Sequence, residues 1–333
     1  MKFSRLGLLL ALLTLLLVPQ AFAQSTGARL ALKGYDPVLL IDGQEKEGAQ
    51  DHEVAHGGFL YRFVSAETQA RFEEDPERYG IQGNGRCTTM PEARANPSIF
   101  TVHEGHIYAF GTADCKMQFL ANPDLYLKDE AEAAKVAVLV FNGVELLDFA
   151  GPGEVFAAAG HGRAFDVFTV GLSKEPVLSQ GFVTITPQYA LDESPRPDIL
   201  VVPGGGVRSI LNSERAMGWI RETAQNAYVL SVCNGAFVLA DAGLLEGKEA
   251  TTHHGSLEAL TQHASNTVVH ADRRYVDNGR VITAAGVSAG IDASLHLVER
   301  LLGAGMADGT AAYMEYERRP EKDGVRRASV GTR

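Results

Sequence analysis

Cysteine is scarce, with three among 333 residues. That is too few for a disulfide scaffold, and an odd number leaves at least one thiol over. No two cysteines form C-x-x-C, which excludes the commonest short zinc and redox signature. Basic residues are also in deficit: 30 Lys and Arg stand against 41 Asp and Glu, a net charge of −11. That balance argues against a sequence-independent nucleic-acid binder, which needs a basic face to release counterions. With 45% apolar and 21% charged residues, the chain is neither disordered nor a coiled coil. Its length predicts about two domains.

Long apolar runs are nearly absent beyond the first 23 residues. Lys2 and Arg5 precede the apolar run Leu6–Val18, and Ala21-Phe22-Ala23 has the A-x-A form of a cleavage site. This reads as a secretory signal peptide over 1–23. No Cys follows the run, so no lipid anchor is expected. Removing Lys2 and Arg5 leaves 28 basic residues against 41 acidic, a net charge of −13. The expectation is a periplasmic or secreted protein without stable membrane insertion, in a compartment where thiols can oxidise. The stretch 227–245 is apolar but contains Asn234, Asp241 and two glycines. It reads as a buried strand running into a buried helix, not a membrane span.

The pattern changes near residue 130. Residues 27–130 carry short strands, aromatics and turns. A charged, Ala-rich connector at 128–135 follows. Beyond it, apolar runs at 136–141, 167–170, 199–202, 228–232 and 281–284 have the form of parallel strands buried on both faces, with helical stretches between them. This predicts a doubly wound, flavodoxin-like α/β domain over 135–305, preceded by a small α+β domain. From Arg318 to 333 the tail is charged and reads as disordered.

The N-terminal part contains a repeat. His56, Phe72, Pro76 and Tyr79 recur as His103, Phe119, Pro123 and Tyr126, each pair 47 apart (103 − 56, 126 − 79). Each unit reads as alternating aromatic strands and a short helix. Neither unit could bury an adequate face alone, so the two should share a core. The segments Lys33-Gly-Tyr-Asp-Pro-Val38, Tyr61-Arg-Phe63 and Asp75-Pro76-Glu-Arg-Tyr79 resemble the YHS domain of secreted bacterial proteins. That resemblance implies a link to metal handling. His52, His56, His103 and His106 are scattered, however, so a structural or docking module is favoured and no metal site is assigned. Cys87 and Cys115 are a candidate disulfide, although spacing alone does not bring their Cα atoms together.

The chemistry falls in the second domain. The strand at 228–232 delivers Cys233 to a small-residue turn, and Asn234-Gly-Ala-Phe begins a helix. Such a turn projects the thiol at the sheet edge where open α/β sheets bind ligands, and helix amides there should lower its pKa. Pro203-Gly-Gly-Gly206 follows another strand, and the Gly204 and Gly205 amides could polarise a reacting group. Asp148 lies just past the first strand, either as an acid beside the thiol or as a helix cap. His253 or His254 could orient the thiol. Gly286-Val-Ser288-Ala-Gly290 fits the serine-hydrolase elbow, but only His296 lies downstream, on the same helix. Ser288 is therefore expected to cap that helix.

The segments 141–156, 203–205, 231–240, 250–253 and 281–292 resemble the ThiJ/PfpI superfamily, which shares the class I glutamine amidotransferase-like fold. The resemblance points to the branch holding isonitrile hydratases and the sensor domains of AraC-type regulators. It implies Cys233 as nucleophile, Asp148 as the adjacent acid, Asn234 beside the nucleophile where the hydratases carry Thr, and His253 at a family position. It also implies a small-molecule substrate, no cofactor and a homodimer. The expected activity is conversion of an isonitrile and water to an N-substituted formamide, or a related hydration or hydrolysis, including glyoxalase-like chemistry. A non-catalytic ligand or redox sensor, and metal handling by the N-terminal half, are the alternatives.

Overall fold

The computed structural model describes residues 28–127 and 133–318. The leader at 1–23, most of the connector and the tail from 319 lie outside the described residues.

The apolar runs become a seven-stranded sheet. Its order is Tyr189–Ala190, Phe165–Gly171, Ala134–Leu139, Ile199–Val202, Tyr228–Val232, Val281–Ala284 and Tyr275–Asp277. All neighbours are parallel except the last pair, which is antiparallel. Strand side chains alternate between two apolar cores. Val136 and Val138 pack on one side with helices Leu146–Ala158 and Ala289–Leu302. Ala137 and Leu139 pack on the other side with helices Glu214–Thr223 and Gly235–Asp241. From Ala134–Leu139 the chain passes first to a strand on one side and then to Ile199–Val202 on the other. The carboxyl ends of these two central strands therefore border the switch point, where such sheets leave a crevice.

The N-terminal half repeats itself element by element. Strand Ala49–His56 recurs as Asn96–His103, strand Phe59–Phe63 as His106–Phe110, and helix Ala66–Glu74 as Ala113–Ala121, each offset by 47 (96 − 49, 106 − 59, 113 − 66). Both helices start on a hydroxyl cap: Ser65 accepts the Thr68 amide at 3.3 Å, and Thr112 accepts the Cys115 amide at 3.2 Å. The His56 ring meets Phe72 edge-on at 5.9 Å, and His103 meets Phe119 at 5.7 Å. These histidines pack aromatic rings. His52 and His56 stand four residues apart on one strand, a span of about 13 Å, too far to share an ion.

Strand His106–Phe110 joins the halves. Ile107 and Ala109 enter the core of the first repeat with Phe63 and Phe72, whereas Phe110 on the opposite face enters the α/β core with Phe119. The folded chain also continues past residue 305. Helix Ala304–Tyr313 packs on helix Ala113–Ala121. At Gly309 an added Cβ would come 2.4 Å from Gln118 Cγ, so this helix approaches closely because its residues are small. Such residues give little hydropathy signal, which hid the helix in the sequence. Arg318, assigned to the disordered tail from sequence, forms ion pairs with Glu299 and Asp308.

Candidate active site

Cys233 follows the strand Tyr228–Val232 in the left-handed region, at φ +57°. A non-glycine residue held there is strained, and the surroundings fix it. Its amide donates to the carbonyls of Ala284 (3.1 Å) and Ala285 (2.8 Å). Its carbonyl accepts the Thr252 hydroxyl at 2.7 Å. The residue is 6% exposed. The elbow thus presents a nearly enclosed thiol at the carboxyl edge of the sheet.

Asp148 lies in the first turn of helix Leu146–Ala158 and is fully buried. Its Oδ2 accepts the Gly204 amide at 2.9 Å, and its carboxyl contacts the Cys233 thiol. The other oxygen, Oδ1, is buried with no well-formed hydrogen bond. Gly204 is the spacer between the two groups. A Cβ there would fall 2.5 Å from the Asn234 amide nitrogen, 2.8 Å from Asp148 Oδ2 and 2.9 Å from Cys233 Cβ. Only glycine lets the three segments converge.

The electrostatics differ from the sequence expectation. Burial, followed by the Asp148 charge, pushes the Cys233 thiol up to about 12. The Asn234 and Gly205 amides oppose this but are outweighed. The helix behind the thiol is only seven residues long, and desolvation of a thiolate costs more than those amides return. Burial likewise pushes the Asp148 carboxyl up to about 7, against the Gly204 amide and the thiol contact. The resting site is therefore a thiol facing a carboxyl that is half ionised near neutrality.

Two further expectations need correction. The Gly204 amide is committed to Asp148 and is not free for substrate; the free donors facing the sulfur are Gly205 and Asn234. Ser288 stands at the start of helix Ala289–Leu302 without capping it. Its hydroxyl instead accepts from Arg274 at 3.0 Å, because Arg274 is held there by Asp292, which also accepts the Tyr316 hydroxyl at 3.0 Å. His296 pairs with Asp277 at 2.7 Å, so no serine triad assembles.

His253 is not paired with the thiol. Its Nδ1 accepts the Gly255 amide at 3.2 Å, and its ring lies against Gly286, where a Cβ would come 2.6 Å from Cδ2. This is a structural histidine. His254 beside it is exposed. Asn234 is locked by two side-chain bonds, donating to the Gly205 carbonyl (3.5 Å) and accepting the Ser256 hydroxyl (2.9 Å). It also walls a groove of about 560 Å³ lined by Gly206, Arg208, Leu211, Phe237 and Ser256. Sequence reasoning missed Thr252 and Ser256. The Thr-Thr pair before His253 was visible, but a hydroxyl bonded to the carbonyl of the nucleophile leaves no spacing signature. Cys87 and Cys115 are free thiols buried in one apolar cluster, remote in sequence from this site.

Residues 134–300 match the DJ-1/PfpI family. The isonitrile hydratase of Pseudomonas putida is 34% identical over 193 residues, spanning 57% of this chain and 82% of the relative. The chain belongs to the DJ-1/PfpI family. Regulator relatives share its domain too: the HTH-type transcriptional regulator GbdR of Pseudomonas aeruginosa is 30% identical over 46% of this chain, but over only 42% of its own length. Among solved structures, a ThiJ/PfpI family protein from Pseudomonas syringae superposes with a TM-score of 0.53 at 27% identity, covering 63% of this chain and 84% of that one. Drosophila melanogaster DJ-1beta shares the fold at 24% identity and a TM-score of 0.51, over 56% of this chain and all of its own. The DJ-1/PfpI match thus covers the half of the chain that carries Asp148, Gly204 and Cys233.

Proposed function

We propose that this DJ-1/PfpI protein is a cysteine-dependent hydratase of isonitriles, with Cys233 as nucleophile and Asp148 as proton carrier. The observation that carries the reading is the buried carboxyl–thiol contact spaced by Gly204, supported by the 34% identity to an isonitrile hydratase. A carboxyl held near 7 can both accept and return a proton at neutral pH. Asp148 takes the thiol proton as the sulfur attacks the terminal isonitrile carbon, and delivers it to that carbon. An N-substituted thioimidate on Cys233 results. Asp148 then deprotonates a water that adds to the same carbon. Asp148 passes that proton to the imine nitrogen. The C–S bond then breaks as the carbonyl forms, the hydroxyl proton passes through Asp148 to the sulfur, and the N-substituted formamide leaves. The Gly205 and Asn234 amides face the sulfur while negative charge passes through it.

The high thiol pKa argues against redox sensing at Cys233, because oxidants attack thiolates. The N-terminal half is read as a YHS-like docking module in an exported homodimer. Its support is the repeated unit fused to the α/β core and the leader at 1–23. Formamide release from a simple alkyl isonitrile by the wild type, and its loss in Cys233→Ala, tests the activity. Equal turnover by the two proteins would overturn it. Cell fractionation and size-exclusion light scattering test export and dimerisation.

A further inference from the structure

We infer that Cys87 and Cys115 form a peroxide-reactive dithiol, with Cys115 as the attacking sulfur, Cys87 as its resolving partner and His161 seated against Cys115. The inference is independent of the chemistry at Cys233.

The cluster is assembled from three distant segments. Cys87 lies in the loop between the two repeats, Cys115 in the first turn of the nine-residue helix Ala113–Ala121, and His161 in the turn after the helix that carries Asp148. Cys87 and Cys115 are buried in the same apolar cluster, and each thiol acts on the other's proton. His161 Nε2 is 3.4 Å from Cys115 Sγ, and the Thr112 hydroxyl reaches the same sulfur at 3.3 Å. Cys87 Sγ accepts the Gly111 amide at 3.2 Å and lies 3.4 Å from the Thr89 hydroxyl. His161 is held at φ +52° between Gly160 and Gly162, both also at positive φ. Its ring is braced edge-on against Tyr313 at 5.7 Å. A histidine forced into the left-handed region to place its imidazole on a thiol is a strained arrangement of the kind that collects at reactive sites.

The donors around Cys115 favour its thiolate. The Cys87 thiol, the largest cause, and the Thr112 hydroxyl favour ionisation of Cys115, beside which His161 Nε2 sits at 3.4 Å, while Cys115 and burial hold the Cys87 proton in place. One sulfur is thus prepared to attack and the other keeps its proton. Both side chains are buried, which excludes bulky disulfide oxidants and leaves a small peroxide as the reagent.

The Cys115 thiolate attacks one peroxide oxygen. The S–O bond forms, the O–O bond breaks, and hydroxide leaves and is protonated to water. The Cys87 sulfur then attacks the sulfur of the Cys115 sulfenic acid. The S–S bond forms and the S–O bond breaks. The departing hydroxide takes the Cys87 proton as a second water. Two thiols and hydrogen peroxide thus give one disulfide and two waters.

The test uses the full chain carrying Cys233→Ala, fully reduced and then treated with graded hydrogen peroxide. Remaining thiols are alkylated after denaturation and read by intact mass and peptide mapping. The expected result is joint loss of both thiols, a mass lower by two hydrogens, a Cys87–Cys115 cross-linked peptide and recovery by reductant. Cys87→Ser should stop at a Cys115 sulfenic acid trapped by dimedone. His161→Asn, which tolerates the left-handed backbone, should slow the loss several-fold. If the Cys233→Ala chain does not fold, peptide mapping of the wild type reads the same pair. Two thiols that survive excess peroxide, or that over-oxidise separately without a cross-link, would overturn the assignment.

Discussion

The Asp148 carboxyl and the Cys233 thiol share a buried contact in which the carboxylate raises the cost of ionising the thiol, while the thiol favours the ionised carboxyl. Asp148 is fully buried, Cys233 is 6% exposed, and only Gly204 separates their segments. Removing either partner should therefore change the behaviour of the other.

Asp148→Asn removes the charge that is the second cause of the raised thiol pKa, leaving burial as the first. Alkylation of Cys233 by iodoacetamide, followed against pH, should show its midpoint move to lower pH than in the wild type. An unchanged midpoint would mean that the carboxyl does not act on the thiol.

The same carboxyl makes stability depend on pH. Its folded pKa of about 7 stands above the ordinary 3.8, so the folded state holds the proton more tightly than the unfolded chain. The stabilisation is fully present below about 4 and lost as pH rises through about 7, on the order of 4 kcal/mol at most. Asp148→Asn should flatten this dependence and melt above the wild type at pH 8. Urea melts at pH 5 and 8 measure it. Parallel pH dependence in wild type and variant would contradict the assignment.

Gly204→Ala and Gly206→Ala should separate sharply. A Cβ at 204 meets three site atoms at 2.9 Å or less, whereas at 206 its nearest neighbour is 3.6 Å away. The first variant should lose activity at least ~100-fold and destabilise the fold by about 1–3 kcal/mol. The second should stay within a few-fold of wild type. Kinetics and denaturant melts on both proteins decide the matter.

Phe119 ties the second repeat to the α/β core, packing on Phe110 at 5.1 Å and edge-on against His103. Phe119→Ala should cost about 3–5 kcal/mol. Because one apolar core spans both halves, it should lower a single cooperative transition. A separate early transition for the N-terminal half would show that the core is not shared.

Much of this architecture was legible in the chain. Strands buried on both faces leave continuous apolar runs, and Ile199–Val202, Tyr228–Val232 and Val281–Ala284 form over the residues so marked. The strand–turn–helix at Cys233 also announced its position. Its protonation was not legible, because local amides were visible in the sequence while burial and the neighbouring carboxyl are tertiary. The commitment of the Gly204 amide to Asp148 links positions 56 residues apart. Helix Ala304–Tyr313 was hidden by its small residues. His161 against Cys115 requires a histidine at positive φ, a conformation that nothing in its composition signals.

The pH–rate profile for formamide production from an alkyl isonitrile tests the central claim most directly. Asp148 must be ionised to take the thiol proton, so wild-type kcat/KM should rise with pH through about 7. Asp148→Asn should lose that inflection together with ~100-fold or more of the rate. A wild-type profile flat across this range, or an Asp148→Asn variant turning over at the wild-type rate, would contradict the account.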